Sequence, residues 1–251
     1  MLTLKKSLGQ HFLVDEQVSE RIVATLLERP LCRLVEVGPG GGALTRYLVD
    51  LKDVDLKCIE LDDEKVTYLS NHFPQLRGRI IHDDILRTPL PFDQPFTVVG
   101  NFPYNISTQI VFRIIEWRPL IESMVGMFQK EVAERIAAKE GSKTYGVTSV
   151  LVQAFFDVHY LFEVPETAFN PPPKVKSAVI RFVPRQELPE IRSESSLVQL
   201  VKAAFNQRRK TLRNATRQLF SADVLSDPLF NRRAEELTVE EFAALTFRMK
   251  G

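Results

Sequence analysis

Leu34-Val35-Glu36-Val37 is an apolar run of strand length that stops at Gly38-Pro39-Gly40-Gly41-Gly42 and resumes as the helical stretch Ala43-Leu44-Thr45-Arg46-Tyr47-Leu48. A buried strand that turns on glycines into a helix implies a crossover to a parallel neighbour, and so an α/β sheet. The glycines let the backbone approach a ligand without a Cβ clash, and the helix start offers free N–H groups. Gly38, Gly40 and Ala43 also satisfy the looser dinucleotide fingerprint. The turn alone therefore does not separate a nicotinamide cofactor from S-adenosylmethionine.

The remaining chain repeats the alternation. Strands are predicted at Leu56–Asp62, Arg79–Ile85, Phe96–Val99, Ser123–Phe128, Val158–Val164 and Ser177–Val183. Helical spacing of Val18, Ile22, Leu26 and Leu27 places a helix over Asp15–Glu28. Further helices are predicted over Asp63–Phe73, from a Ser107 or Thr108 cap through Ile114, over Gln129–Lys139 and over Val147–Phe156. The expected fold is a mostly parallel sheet of seven strands with helices on both faces. Val158–Val164 and Ser177–Val183, joined by a proline loop, read as a closing antiparallel edge hairpin. Pro184–Glu194 reads as a linker, and strand patterns stop beyond it. The expected domains are an α/β domain over 1–185 and a small all-helical domain over 186–251.

Chemistry-bearing residues cluster at predicted strand ends. Glu60 falls roughly twenty residues after the glycines, where a carboxylate can take both ribose hydroxyls. Asp84, at the next strand end, is placed to accept from an adenine amino group or to cap its own turn. The run Phe96-Thr97-Val98-Val99 ends in Gly100-Asn101-Phe102-Pro103-Tyr104-Asn105. Asn101 carries an amide acceptor and donor, Pro103 stiffens the loop, and Tyr104 offers a flat face. Together they suit a planar group with an exocyclic amine. Before the first helix, Gln10 and His11 present hydrogen-bonding groups while Phe12 and Leu13 anchor the segment.

Leu197–Phe220 shows helical spacing and carries Lys202, Arg208, Arg209, Lys210, Arg213 and Arg217 without an acid. Arg209, Arg213 and Arg217 repeat every four residues and are expected on one helical face, tracking phosphates. A net charge of +1 hides this asymmetry. A last helix is predicted over Glu235–Phe247, capped near Thr238. Cys32 and Cys58 lie in apolar runs and read as reduced thiols of a cytoplasmic protein. The four histidines are scattered without zinc spacing, and no apolar run reaches membrane-spanning length.

Leu8-Gly9-Gln10-His11-Phe12-Leu13, Glu36-Val37-Gly38-Pro39-Gly40, Ile59-Glu60-Leu61-Asp62, Asp84-Ile85-Leu86, Asn101-Phe102-Pro103-Tyr104-Asn105-Ile106-Ser107 and Phe169–Val175 follow one another in a familiar order. Over nearly its whole length the chain resembles the small-subunit ribosomal RNA adenine N6,N6-dimethyltransferases. Ala204–Asn214 resembles their C-terminal signature and separates the chain from relatives that methylate large-subunit RNA. Phe102 stands where the family usually has an aliphatic residue, and His11 where Asn is also common.

The resemblance implies a Rossmann-like class I methyltransferase fold and S-adenosylmethionine as cofactor, with S-adenosylhomocysteine as product and no metal. It implies that Gln10, His11, Leu13, Gly38, Gly40, Glu60, Leu61, Asp84, Ile85 and Asn101 line the cofactor's pocket. Asn101, Phe102, Pro103, Tyr104 and Phe169 would handle the target adenine, with Tyr104 and Phe169 on its two faces. Arg208, Arg209, Lys210, Arg213 and Arg217 would bind RNA. The implied reaction is dimethylation of two adjacent adenines near the 3′ end of small-subunit (16S-type) RNA during ribosome biogenesis. The implied partner is a pre-ribosomal small subunit, met in the cytoplasm by a monomer without a membrane.

Overall fold

The computed structural model describes residues 11–250. Its strands are β1 (Phe12–Leu13), β2 (Arg33–Val37), β3 (Asp55–Glu60), β4 (Ile80–His82), β5 (Phe96–Asn101), β6 (Ile121–Gln129), β7 (Phe156–Val164), β8 (Phe169–Asn170) and β9 (Ser177–Pro184). Its α-helices are α1 (Glu16–Leu27), α2 (Thr45–Leu48), α3 (Asp63–His72), α4 (Ser107–Trp117), α5 (Lys130–Ala137), α6 (Val147–Gln153), α7 (Glu194–Asn206), α8 (Leu212–Thr216), α9 (Ala222–Leu225) and α10 (Val239–Thr246).

Seven strands form one sheet in the order β4-β3-β2-β5-β6-β9-β7. β4, β3, β2, β5 and β6 run parallel, and β9 is antiparallel to β6. The chain moves from β2 outward to β3 on one side and returns to β5 on the other. That reversal opens a crevice beyond the carboxyl ends of β2 and β5, where open α/β sheets bind ligands. Leu34, Val35, Phe96, Val98 and Val99 are fully buried, as parallel strands covered on both faces require. The expected closing pair is present, with β9 inside the sheet and β7 at its edge.

β1 lies outside the strands that the sequence predicts. Leu13 pairs antiparallel with Phe169 and Phe12 with Asn170. The Ala168 carbonyl accepts from Val14 N and Asp15 N at 2.9 and 3.2 Å. The Asp15 side chain then caps α1 through Gln17 N and Val18 N. The helix after the glycine turn is also shorter than expected, since only Thr45–Leu48 is α-helical. Ser107 opens α4 without capping it; its hydroxyl donates to the Tyr104 carbonyl at 3.1 Å.

The chain divides into two compact units. One runs to Ala133 and takes up His159–Pro184; the other holds Glu134–Val158 and the residues from Arg185 onward. The expected ranges of 1–185 and 186–251 differ from this in one segment, since 134–158 groups with the helical unit. Within that unit Tyr145 is buried and its ring meets Phe205, which in turn meets Phe242. These aromatic contacts explain why a segment between two sheet strands joins the helices.

Candidate active site

A cavity of about 250 Å³ opens at the ends of β2, β3 and β5. His11, Leu13, Gly38, Gly40, Glu60, Asn101 and Tyr104 line it. A second cavity of about 140 Å³ adjoins it, walled by Leu61, Asp84, Ile85 and Ile106, and shares Gly38, Glu60 and Pro103 with the first. Gly38, the first residue of the glycine turn, lines both. Gly38 and Gly40 take φ of +68° and +56°, values that favour glycine. A Cβ on Gly40 would stand 3.6 Å from the Phe12 ring, so the N-terminal segment lies against the turn.

Glu60 is buried, and its two oxygens accept from Gly40 N at 3.1 Å and Asp62 N at 3.0 Å. The carboxylate thus links the end of β3 to the glycine turn. Asp84 Oδ1 accepts from Leu86 N at 2.9 Å, so the side chain caps its turn while lining the second cavity. Two further ionisable groups in the cavity wall escaped the sequence reading. Glu36 is 2% exposed, and burial pushes its carboxyl up to about 7. Lys65 is 1% exposed and stands 3.8 Å from Asp62. Glu36 was legible as the one acid in an apolar strand; nothing in the sequence marked Lys65.

The Asn101 amide donates from Nδ2 to the His11 carbonyl at 3.3 Å, which leaves Oδ1 as an acceptor at the cavity. Phe102 is 1% exposed. Its ring lies over Gly100 and Gly126, which face each other across β5 and β6, and meets Phe128 edge-on at 5.0 Å. Two glycines therefore make the space that the ring needs. The Tyr104 hydroxyl shares a 2.6 Å hydrogen bond with Ser177 Oγ, and its ring sits 5.5 Å from His11. Burial raises the Tyr104 pKa, so the phenol stays neutral. Phe169 is not brought to either cavity; it is 3% exposed in the core, its strand tied to β1. Gln10 lies outside the described residues.

The family model for ribosomal RNA adenine dimethylase matches residues 1–249. The chain belongs to the ribosomal RNA adenine dimethylase family. It is 49% identical over 251 residues to the ribosomal RNA small subunit methyltransferase A of Cytophaga hutchinsonii, covering 98% of this chain and 97% of that one. It is 52% identical over 248 residues to the protein of the same description from Bacteroides thetaiotaomicron, covering 96% and 92%. Among solved structures, a dimethyladenosine transferase from Plasmodium falciparum superposes with a TM-score of 0.78 at 25% identity, over 92% of this chain and 94% of that one. The 23S rRNA methyltransferase ErmE gives 0.73 at 25% identity, over 95% and 99%. The Rossmann-like methyltransferase fold and S-adenosylmethionine chemistry come with that membership.

In this family member the basic segment is not one helix. α7 ends at Asn206, Gln207 leaves helical geometry at φ −127° and ψ 66°, and α8 covers only Leu212–Thr216. Arg209 lies in the intervening turn, Arg213 in α8 and Arg217 at its end, so the three do not share a helical face. Tertiary bonds override the periodic pattern. Arg208 donates to the carbonyls of Lys143 and Tyr145 at 2.8 and 2.7 Å, and Leu212 N to the Arg232 carbonyl at 2.8 Å. Arg209, Lys210 and Arg217 are exposed, Arg213 partly buried.

Proposed function

We propose that this dimethylase methylates N6 of two adjacent adenines near the 3′ end of small-subunit ribosomal RNA, acting as a cytoplasmic monomer on a pre-ribosomal small subunit. The observation that carries the reading is the Asn101 amide. With Nδ2 committed to the His11 carbonyl, Oδ1 is oriented as an acceptor beside the Pro103–Tyr104 loop. Two free cysteines support a reducing compartment.

The residues present fit S-adenosylmethionine. Glu60, with lone pairs beyond those used by Gly40 N and Asp62 N, holds the ribose hydroxyls. Asp84 takes the adenine amine through the oxygen not used on Leu86 N, and Leu61 and Ile85 wall the second cavity. His11, Leu13, Gly38 and Gly40 enclose the methionine part. When bound, S-adenosylmethionine supplies an electrophilic methyl group on a positively charged sulfur.

The lone pair of N6 is delocalised into the target ring and attacks poorly. Asn101 Oδ1 and the Phe102 or Pro103 carbonyl accept from the amino group and draw it toward tetrahedral geometry. The lone pair then points along the line of transfer, and orientation and charge placement provide most of the rate. The target base leaves its stack to enter, and Tyr104, held by Ser177, stacks on it for roughly 1–3 kcal/mol. No general base is assigned. Arg209, Lys210, Arg213 and Arg217 meet the RNA backbone, while Arg208 is held within its own unit. The test is to incubate the protein with labelled S-adenosylmethionine and unmethylated small-subunit particles, then map the label. Dimethylation of adjacent adenines near the 3′ end is expected; label elsewhere, or none, contradicts the proposal.

A further inference from the structure

β1 and β8 pair Phe12 with Asn170 and Leu13 with Phe169, and the same antiparallel register brings His11 opposite Pro171. Proline has no N–H, so it cannot donate to a backbone ladder. The His11 side chain makes the next bond instead: its Nδ1 stands 2.9 Å from the Pro171 carbonyl oxygen. A carbonyl only accepts, so Nδ1 carries the hydrogen and donates it. The bond fastens a residue of the larger cavity's wall to the proline loop, 160 positions along the chain.

The backbone of that same residue meets Asn101. The His11 carbonyl accepts from Asn101 Nδ2 at 3.3 Å. An amide turned end for end exchanges its oxygen for its NH2, and a carbonyl accepts only from the NH2. The His11 carbonyl therefore selects which end of the amide looks into the cavity. With that carbonyl displaced, the amide is free to turn N–H groups toward an amine that itself donates. Pro171, His11 and Asn101 are thus joined by two hydrogen bonds in series, which end on the oxygen assigned to the target nitrogen.

We propose that His11 is a positioning residue for methyl transfer: its imidazole N–H, anchored on the Pro171 carbonyl, holds the backbone carbonyl that orients Asn101. The inference rests on the assignment of Asn101 to the target amine. It makes the donor, not the ring, the part of the side chain that matters. Asparagine carries its amide nitrogen on Cγ, as histidine carries Nδ1, and so offers a donor at the same reach. The competing role is packing, since the His11 ring lies 5.5 Å from that of Tyr104.

Two substitutions separate donor from ring. H11N keeps a donor and loses the ring; H11F keeps a ring and loses the donor. Single-turnover methyl transfer to unmethylated small-subunit particles at saturating S-adenosylmethionine is measured for wild type, H11N, H11F, N101A and H11F/N101A. Rates are expressed per site that binds S-adenosylhomocysteine in calorimetry, so unfolded protein does not count. H11F should slow transfer roughly fivefold or more, and H11N should recover most of that loss. Because the effect runs through Asn101, H11F should add less than about twofold to the loss already present in N101A. A packing role predicts the opposite order, with H11N slower than H11F. That order, a wild-type rate in H11F, or independent losses in H11F/N101A overturns the proposal. A wild-type rate in N101A would instead remove the Asn101 assignment on which it rests.

Discussion

The Thr45 hydroxyl donates to the Glu36 carboxyl at 2.7 Å beneath the glycine turn, joining the start of α2 to the end of β2. Burial raises the Glu36 pKa from 4.5 to about 7, so the fold holds this proton where the unfolded chain releases it. Stability contributed by the protonated group is complete below the unfolded value and falls as pH rises toward 7. E36Q keeps an acceptor for Thr45 and cannot ionise. It should melt above wild type by an increment that grows across that window, reaching at most on the order of 3 kcal/mol. A constant difference between the two melting curves from pH 4.5 to 7.5 would contradict the assignment.

Phe102 and Gly126 form a size-complementary pair. A Cβ on Gly126 would collide with the Phe102 ring and approach Phe128 and Met124 to 2.8 and 2.9 Å. G126A should cost about 1–3 kcal/mol, the usual range for overpacking. In an F102L background the cost should shrink, because the smaller side chain vacates part of the space. Additive losses in a double-mutant cycle by urea denaturation would show that the two do not share that space.

Glu60 is expected to dominate cofactor binding among the acids of the site. Its replacement by Ala would remove the proposed contacts to the ribose and also untie Gly40 N from Asp62 N. The expected loss in affinity for S-adenosylhomocysteine corresponds to about 1–3 kcal/mol per hydrogen bond. Calorimetry at constant salt measures it, and unchanged affinity would take Glu60 out of the site.

The basic residues of the helical unit should separate into two groups. R209A/K210A/R217A should leave thermal stability nearly unchanged and flatten the log–log salt dependence of RNA binding by about 2–3. R208A should lower the melting temperature, since it removes the bonds to the Lys143 and Tyr145 carbonyls, and alter the salt slope little. A slope unaffected by the triple variant would sink its phosphate role.

The sheet and its cavity were legible because period-two and continuous apolar runs report burial directly, as Leu34–Val37 and Phe96–Val99 do. Glu60, Asp84 and Asn101 were legible because each ends such a run. What stayed hidden depends on partners far along the chain. The break after Asn206 is invisible because Val201, Phe205 and Leu212 keep helical spacing across it, whereas the Arg208 and Leu212 bonds that enforce it reach residues 143, 145 and 232. β1 is two residues long and exists only against β8. Phe169 looked available to a base because an aromatic beside prolines carries no sign of its own burial. Lys65 reads as an ordinary helix-surface residue until α3 is placed against the turn.

Asn101 is proposed to act on the nitrogen being methylated, and single-turnover methyl transfer by N101A at saturating S-adenosylmethionine and RNA is the decisive measurement. The expected rate is at least tenfold below wild type, equivalent to about 1.4 kcal/mol or more, with the affinities for both ligands within threefold. A rate close to wild type under those conditions would contradict it.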